Sequence, residues 1–424
     1  MKTYAHLVYI VFLVFFVISF ITNILGAIIP VVNDDFELNG FTTGLLPFSF
    51  FIAYGLMSIP SGILVEKYGD QRCMLGAWML SFLGSSIFVL FPTYPVFLFS
   101  LFLIGTAMAM LQVVINPLLR ISGGESNFAF YSVVAQLIFG GASFISPLFY
   151  RYLDGHLADS GDSKSWLMKF LMYAIADSFS WVSLYLLFSL ISLVMMVWVS
   201  IISFPASERQ VDEKMGDKSA YFFLISSPLI WMYTIAMLFY VGLEQGIANW
   251  ISEFLRTYHQ LDPALEGAAT VSKFWGFMTL GCLVGLGLLK IMDSKLVLRI
   301  FTVSGILVLG LTLGGSVKMA LWGFPLLGFC LSVMYSIIIS LALNSVTENH
   351  GSFTGILCSA IAGGALFSLA IGLMKDLIGL KEGMYLLFLA LGYLLFISFW
   401  ANPIITNRRG LSASAGSSSK SLRE

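Results

Sequence analysis

The chain has 424 residues, of which 58% are hydrophobic and only 11% charged, and its net charge is −1. A soluble domain carries about 25% charged residues, so the composition excludes a water-soluble globule, and the lack of a basic excess excludes a nucleic-acid binder. Cys73, Cys282, Cys330 and Cys358 sit in or beside apolar runs without CxxC spacing, which points to neither a zinc site nor a disulfide framework.

A helix needs about 20 apolar residues to cross the hydrocarbon core, and short of a closed barrel only helices satisfy their backbone there. The sequence therefore predicts an all-α membrane protein. Its first apolar run, 7–32, is longer than a signal-peptide core and no A-x-A cleavage site follows, so it reads as an uncleaved span. Further spans are expected over 40–66, 73–91, 95–119, 128–150 and 178–204. Between the fifth and sixth, the spacing of Trp166, Leu167, Phe170 and Leu171 suggests a short helix lying on the membrane surface. The polar stretch 205–220 reads as a linker near the middle of the chain. Six more spans follow over 221–254, 264–290, 296–317, 321–346, 353–374 and 383–405, and the Ser/Gly-rich 407–424 reads as a disordered tail.

Six spans, a linker and six spans imply two pseudo-symmetric six-helix bundles, 1–204 and 221–406, with a substrate site between them near the membrane midplane. If the N-terminus is placed inside, 14 of the 22 Lys and Arg fall on that side and 8 outside, which favours cytoplasmic termini in an inner (plasma) membrane. The bilayer is the expected environment, and a monomer is expected.

An ionisable group deep in a span costs about 2.5–3.5 kcal/mol on insertion scales and marks function by default. Glu244 fits best, in a stretch that also holds Gln245, Asn249 and Trp250. Amides and aromatics suit a sugar, whose hydroxyls need donors and acceptors and whose C–H faces stack on rings. The plainer reading of Glu244 is a carboxyl bonded to a neighbouring helix for structure alone. Asn23, Gln112, Asn116 and Gln136 are amides embedded in the first bundle, with Asn344 a further one in the second. Each serves equally as an interhelical hydrogen bond, and Asn116, before Pro117, points to helix geometry. Tyr54 and Trp275 are singled out to stack on a ring, from a set that includes Tyr131, Phe139 and Tyr335. Lys273 either pairs with Glu244 or snorkels to the outer surface. Asp34, Asp35 and Glu37 follow the first span and read as a solvated loop that can attract cations. The four histidines, His6, His156, His259 and His350, lie at the N-terminus or in expected loops, and no nucleophile is paired with a base, so an enzyme is not expected.

Between the second and third spans stand Gly62, Glu66, Lys67, Gly69 and Arg72. This spacing resembles the signature loop of the major facilitator superfamily, with Glu66 where Asp is usual. The glycines allow close packing and a tight turn, and the charges can form a cytoplasmic latch that breaks when the halves rock. Further motifs follow in order: 23–30, Ile59-Pro60 with Gly62, Gln112 with Asn116-Pro117, Ala135-Gln136, Tyr240 with Gly242 and Glu244, Gly363-Gly364, and Gly372 with Asp376. Together they resemble the L-fucose/proton symporter family, which includes glucose/galactose transporters and sodium-coupled glucose carriers. The resemblance spans almost the whole chain. It implies a secondary transporter importing a small sugar by alternating access and favours Gln112 and Gln136 as sugar contacts; Asn23, Tyr54, Glu244, Asn249 and Trp275, singled out from the residues themselves, join them as expected substrate contacts. Proton-coupled members carry an Asp in the first helix and a Glu in the fourth. Those positions are Gly26 and Gln112 here, and the eighth-helix Gly-Arg is Gly281-Cys282, so their usual proton route is missing. Coupling then falls to Glu244, either as a proton carrier or within a sodium site; no cofactor or resident metal is expected. A transporter of another solute such as an amino sugar or drug, a passive facilitator, and a sensor that binds without translocating stay open.

Overall fold

Lipid-facing leucine, valine and phenylalanine set the long helices, and close packing between neighbours decides where several of them break. The computed structural model describes residues 5–123, 128–158, 171, 179–202, 204 and 218–404. In the first half these form α1 (Ala5–Thr22), α2 (Leu25–Asp35), α3 (Gly40–Tyr68), α4 (Asp70–Leu90), α5 (Tyr94–Gly123), α6 (Phe128–Ala158) and α7 (Val182–Ile201). The second half comprises α8 (Lys218–Ile225), α9 (Pro228–Ala248), α10 (Ile251–His259), α11 (Ala268–Ile291), α12 (Ser294–Gly314), α13 (Val317–Leu331), α14 (Met334–Leu343), α15 (His350–Ser359), α16 (Gly363–Ile378), α17 (Leu380–Met384) and α18 (Leu386–Trp400). A π-turn (Pro263–Gly267) leads into α11 and a 3-10 turn (Ala360–Ala362) joins α15 to α16. Among the described residues there is no strand, and 12 stretches are long and apolar enough to cross a membrane.

Five expected spans are interrupted, the twelfth at Tyr385 between α17 and α18. The first breaks at Asn23–Ile24, where Ala27 N donates to Ile24 O at 3.0 Å in a tightened turn. The seventh was expected over 221–254, yet only Pro228–Ala248 spans. Ser227 is extended and Pro228 opens α9, because proline lacks the N–H that a helix start leaves unused. The same stretch unwinds again at Asn249–Trp250 before α10. The tenth breaks at Ser332–Val333 and the eleventh at the 3-10 turn. The expected surface helix lies outside the described residues except for Leu171, which is buried. The linker lies outside them up to residue 217, and so does the tail.

Buried side chains form two cores. One gathers Leu7 to Val199 with Ala268 and Ala365, and the other Leu224 to Ala401. In the first, Phe88 stacks on Phe97 at 4.5 Å and on Trp181 at 5.4 Å, while hydroxyl pairs Ser81–Ser192 and Ser86–Ser189, each 2.8 Å, tie α4 to α7. Small hydroxyl residues of this kind let membrane helices approach and bond. Outer faces stay apolar, as Leu307, Leu311, Leu389 and Phe399 show, and lipid is the medium that covers them.

The halves meet along two long seams, with α2 adding a further contact at the α9–α10 junction. On one, α6 lies on α11: Gly140 faces Thr279, and Ser272 Oγ donates to Phe144 O at 2.6 Å. On the other, α3 lies on α15 and α16. There Gly55 leaves room for Ala362, and Ser58 Oγ donates to Cys358 O at 3.5 Å.

Candidate functional site

Tyr54 and Gln112 come from α3 and α5, and the Tyr54 hydroxyl donates to Gln112 Oε1. Tyr54 is buried, whereas Gln112 stays partly accessible. Both face the second half, since Gly55 and Ser58, neighbours of Tyr54 on α3, touch Ala362 and Cys358.

Across that seam stands Glu244, on α9 just before the helix ends. Its Oε2 accepts from the Tyr240 hydroxyl at 2.5 Å and its Oε1 accepts from Gln245 Nε2 at 3.0 Å. Tyr240 lies one turn back on the same helix face, which is why the sequence places the phenol there. The Tyr335 ring packs 5.8 Å from that of Tyr240 and lies within electrostatic reach of Glu244, of Tyr54 and of Cys358. Glu244, Tyr335 and Cys358 are all partly accessible. A hydrogen-bonded pair from one half thus confronts a carboxylate and two phenols from the other. Glu244 stands one turn before Ala248, where α9 ends, and among the described residues no cation pairs with it.

The other expected site residues are spread more widely. Asn23, at the break between α1 and α2, donates to Ser143 Oγ at 2.9 Å and to Ser19 Oγ at 3.4 Å, both in its own half. Gln136 is exposed on α6, one turn from Gly140. Asn249 caps α9 and donates to Ser368 Oγ on α16 at 3.5 Å. Trp275 is buried against Phe274, with its indole N–H unpaired among the described residues. Asn116's side chain lies outside the described residues, and Asn344 donates to Ser340 Oγ at 3.3 Å. Lys273 does not reach Glu244: it is exposed, with its ammonium 5.7 Å from the Trp322 ring centroid. Snorkelling is what the structure shows.

Gly26 and Cys282 stand where the family resemblance places titratable groups. A Cβ on Gly26 would strike the Ala248 carbonyl and come within 3.1 Å of Asn249 Cα, so this position packs backbone on backbone across the halves. Cys282 Sγ donates to Ser332 O at 3.2 Å, at the break in the tenth span.

In the signature loop Gly69 takes φ 85°, a conformation that favours glycine, and turns α3 into α4. Glu66, Lys67 and Arg72 are exposed and Gly62 is buried. Gln71, which the sequence did not single out, donates to Val199 O at 3.0 Å and Ile202 O at 2.8 Å and so caps α7. Tyr221 of α8 sits near Glu66; burial first, and that carboxylate second, push its hydroxyl up to about 12.

Tyr240 and Cys358 join Tyr335, already in the aromatic set, at the candidate site. The sequence carried a signal for the first, a tyrosine one turn before an embedded acid. It carried none for Cys358, which comes in only because α15 leans on α3.

Comparison with known proteins agrees with this architecture. The family profile described as Major Facilitator Superfamily matches residues 11–369. A glucose/galactose transporter of Brucella abortus is 27% identical over 397 residues, covering 91% of each chain. The L-fucose-proton symporter of Escherichia coli is 22% identical over 384 residues, covering 86% of each. The crystal structure of the E. coli fucose:proton symporter in the outward conformation superposes with a TM-score of 0.68 at 19% identity, over 95% of this chain and 100% of that one. A bacterial homologue of the human lysosomal transporter Spinster, inward-facing and occupied, gives a TM-score of 0.72 at 13% identity, over 95% and 98%.

Proposed function

This chain belongs to the Major Facilitator Superfamily, and from that premise we propose that it is a secondary transporter importing a small sugar, a hexose or related monosaccharide, with a cation. The observation that carries the reading is the meeting of Tyr54 and Gln112 with Tyr240, Glu244 and Tyr335 across the seam between halves. A hydroxylated ligand replaces these internal hydrogen bonds one for one, with phenols and amides that both donate and accept. The names of its relatives, a glucose/galactose transporter and an L-fucose-proton symporter, support the same substrate class.

Gly26 and Gln112 cannot exchange protons, so Glu244 carries the coupling. Its charge is held by two neutral donors rather than by a cation, and a proton or sodium ion arriving with the sugar offsets that unpaired charge. Asn249, at the end of α9, relays changes at Glu244 to α16 through Ser368. Gln136 and Trp275 complete the binding surface when the halves rock, and Asn23 fixes the first-helix break that lines it. The Gly62–Arg72 loop latches the cytoplasmic side, with both termini cytoplasmic in an inner membrane. The bundles run 1–204 and 221–406.

The test is uptake of labelled monosaccharides by vesicles holding the chain, with sodium and pH gradients imposed separately. Accumulation of a hexose under one gradient is expected. Failure of every sugar to accumulate under either gradient overturns the reading.

A further inference from the structure

At the end of the bundle where the 36–39 and 249–262 turns lie, the two halves are shut by contacts outside the site described above. Asp376, near the end of α16 in the second half, accepts from the first two backbone N–H groups of α3 in the first half. Its Oδ1 takes Gly40 N at 2.6 Å and its Oδ2 takes Phe41 N at 2.7 Å. A carboxylate is well placed there, because the first N–H groups of a helix have no partner within it and carry partial positive charge. The approach depends on glycine from both sides. A Cβ on Gly372 would strike the Gly40 carbonyl, one on Gly40 would strike the Gly372 carbonyl, and one on Gly44 would lie 2.9 Å from Leu369 Cα.

A second bridge lies beside it. Arg256 of α10 donates through Nη1 to both oxygens of Asp34 at 2.6 Å and to Pro30 O at 3.2 Å, again crossing the halves. Its Nη2 stands 3.0 Å from Glu253, a buried carboxylate that also receives Lys375 Nζ at 2.7 Å. Lys375 in turn lies over the Trp250 ring. Glu253 and Lys375 belong to one half, so they aim Arg256 without themselves crossing.

We propose that Asp376 and Arg256 form the lock that holds this end closed, opposite the Gly62–Arg72 loop. The lock rests on the alternating-access reading for its purpose, but not on the identity of the solute. When the halves rock apart here, the α3 N–H groups and the Asp34 carboxylate exchange these partners for water. The closed state is favoured because Asp376 is prepositioned by α16 and Gly372 lets it reach. Asp376 therefore acts across the halves as a cap normally supplied within one chain segment, and Arg256 adds a second, more exposed tie.

The test places spin labels at Thr93 and Lys318, both exposed at this end, one in each half. The full chain is used, with the labels carried on genetically encoded non-canonical residues so that the native cysteines, Cys358 of the candidate site among them, are kept, and distances are read without substrate. A dominant short distance is expected. Asp376→Ala and Arg256→Gln should each raise the longer-distance population about tenfold, and Asp376→Asn, which keeps one acceptor oxygen, should fall between. If Asp376→Ala does not assemble in the membrane, Asp376→Asn and Arg256→Gln decide. Unchanged distances in both remaining variants overturn the lock. Widening in a chain that accumulates no sugar would sink the sugar reading and leave the lock standing; sugar accumulation without widening would do the reverse.

Discussion

At the scale of single residues, Glu244 is where the proposed recognition and driving force meet. Exchanging it for Gln keeps the shape and the contact with Tyr240 but removes the charge. Glu244→Gln is therefore expected to abolish accumulation against a gradient while counterflow of the same sugar survives, measured side by side in vesicles. Unchanged accumulation would remove Glu244 from coupling. Tyr54→Phe deletes the hydroxyl that donates to Gln112. A sugar hydroxyl that loses this partner gives up about 0.5–1.5 kcal/mol, so apparent affinity should fall about 2- to 12-fold, with the maximal rate less affected. Glu244 was legible in the sequence because an acid inside an apolar run has few innocent explanations. Asn23 was legible as an embedded amide but not as a partner of Ser143, since amide spacing does not reveal which neighbour a helix will turn towards. Gly26 read as a missing acid; only the fold reveals that it makes room for the Ala248 carbonyl.

Among the helices, the spans themselves were readable because length and hydropathy are all that a bilayer demands of them. Their interruptions were not. Ser332–Val333 and the turn at Ala360–Ala362 break inside continuous apolar runs, where no proline or polar cluster marks them. They form because neighbouring helices press close: a Cβ on Gly363 would strike the Leu238 carbonyl, and one on Gly281 would meet Ser332 Oγ. The seventh span shows the opposite case, for its start at Pro228 was visible as proline and was overrun by the apolar residues before it. Gly363→Ala should therefore force α9 and α16 apart. Overpacking of this sort costs about 1–3 kcal/mol, and a lower unfolding midpoint in detergent is expected, whereas Gly392→Ala, with nothing within 4 Å of an added Cβ, should leave it unchanged.

For the whole molecule, the two cores behave as bodies joined by narrow seams of small residues, and motion between them leaves each core intact. Gly26→Asp tests this. It restores the acid that the resemblance places in the first helix, yet points it at the α9–α10 junction of the other half. The variant is expected to favour the state open at that end, read as a longer Thr93–Lys318 distance, and to lose rather than gain proton-driven uptake. The same design bears on energetics. If one cation crosses with each sugar, as the proposed coupling at Glu244 requires, a cycle moves one elementary charge. A charge crossing 100 mV releases about 2.3 kcal/mol, which sustains a concentration ratio of about 50-fold. A cell relying on this protein would fill its cytoplasm with sugar to that ceiling at such a voltage, and any further enrichment would have to come from the chemical gradient of the ion itself.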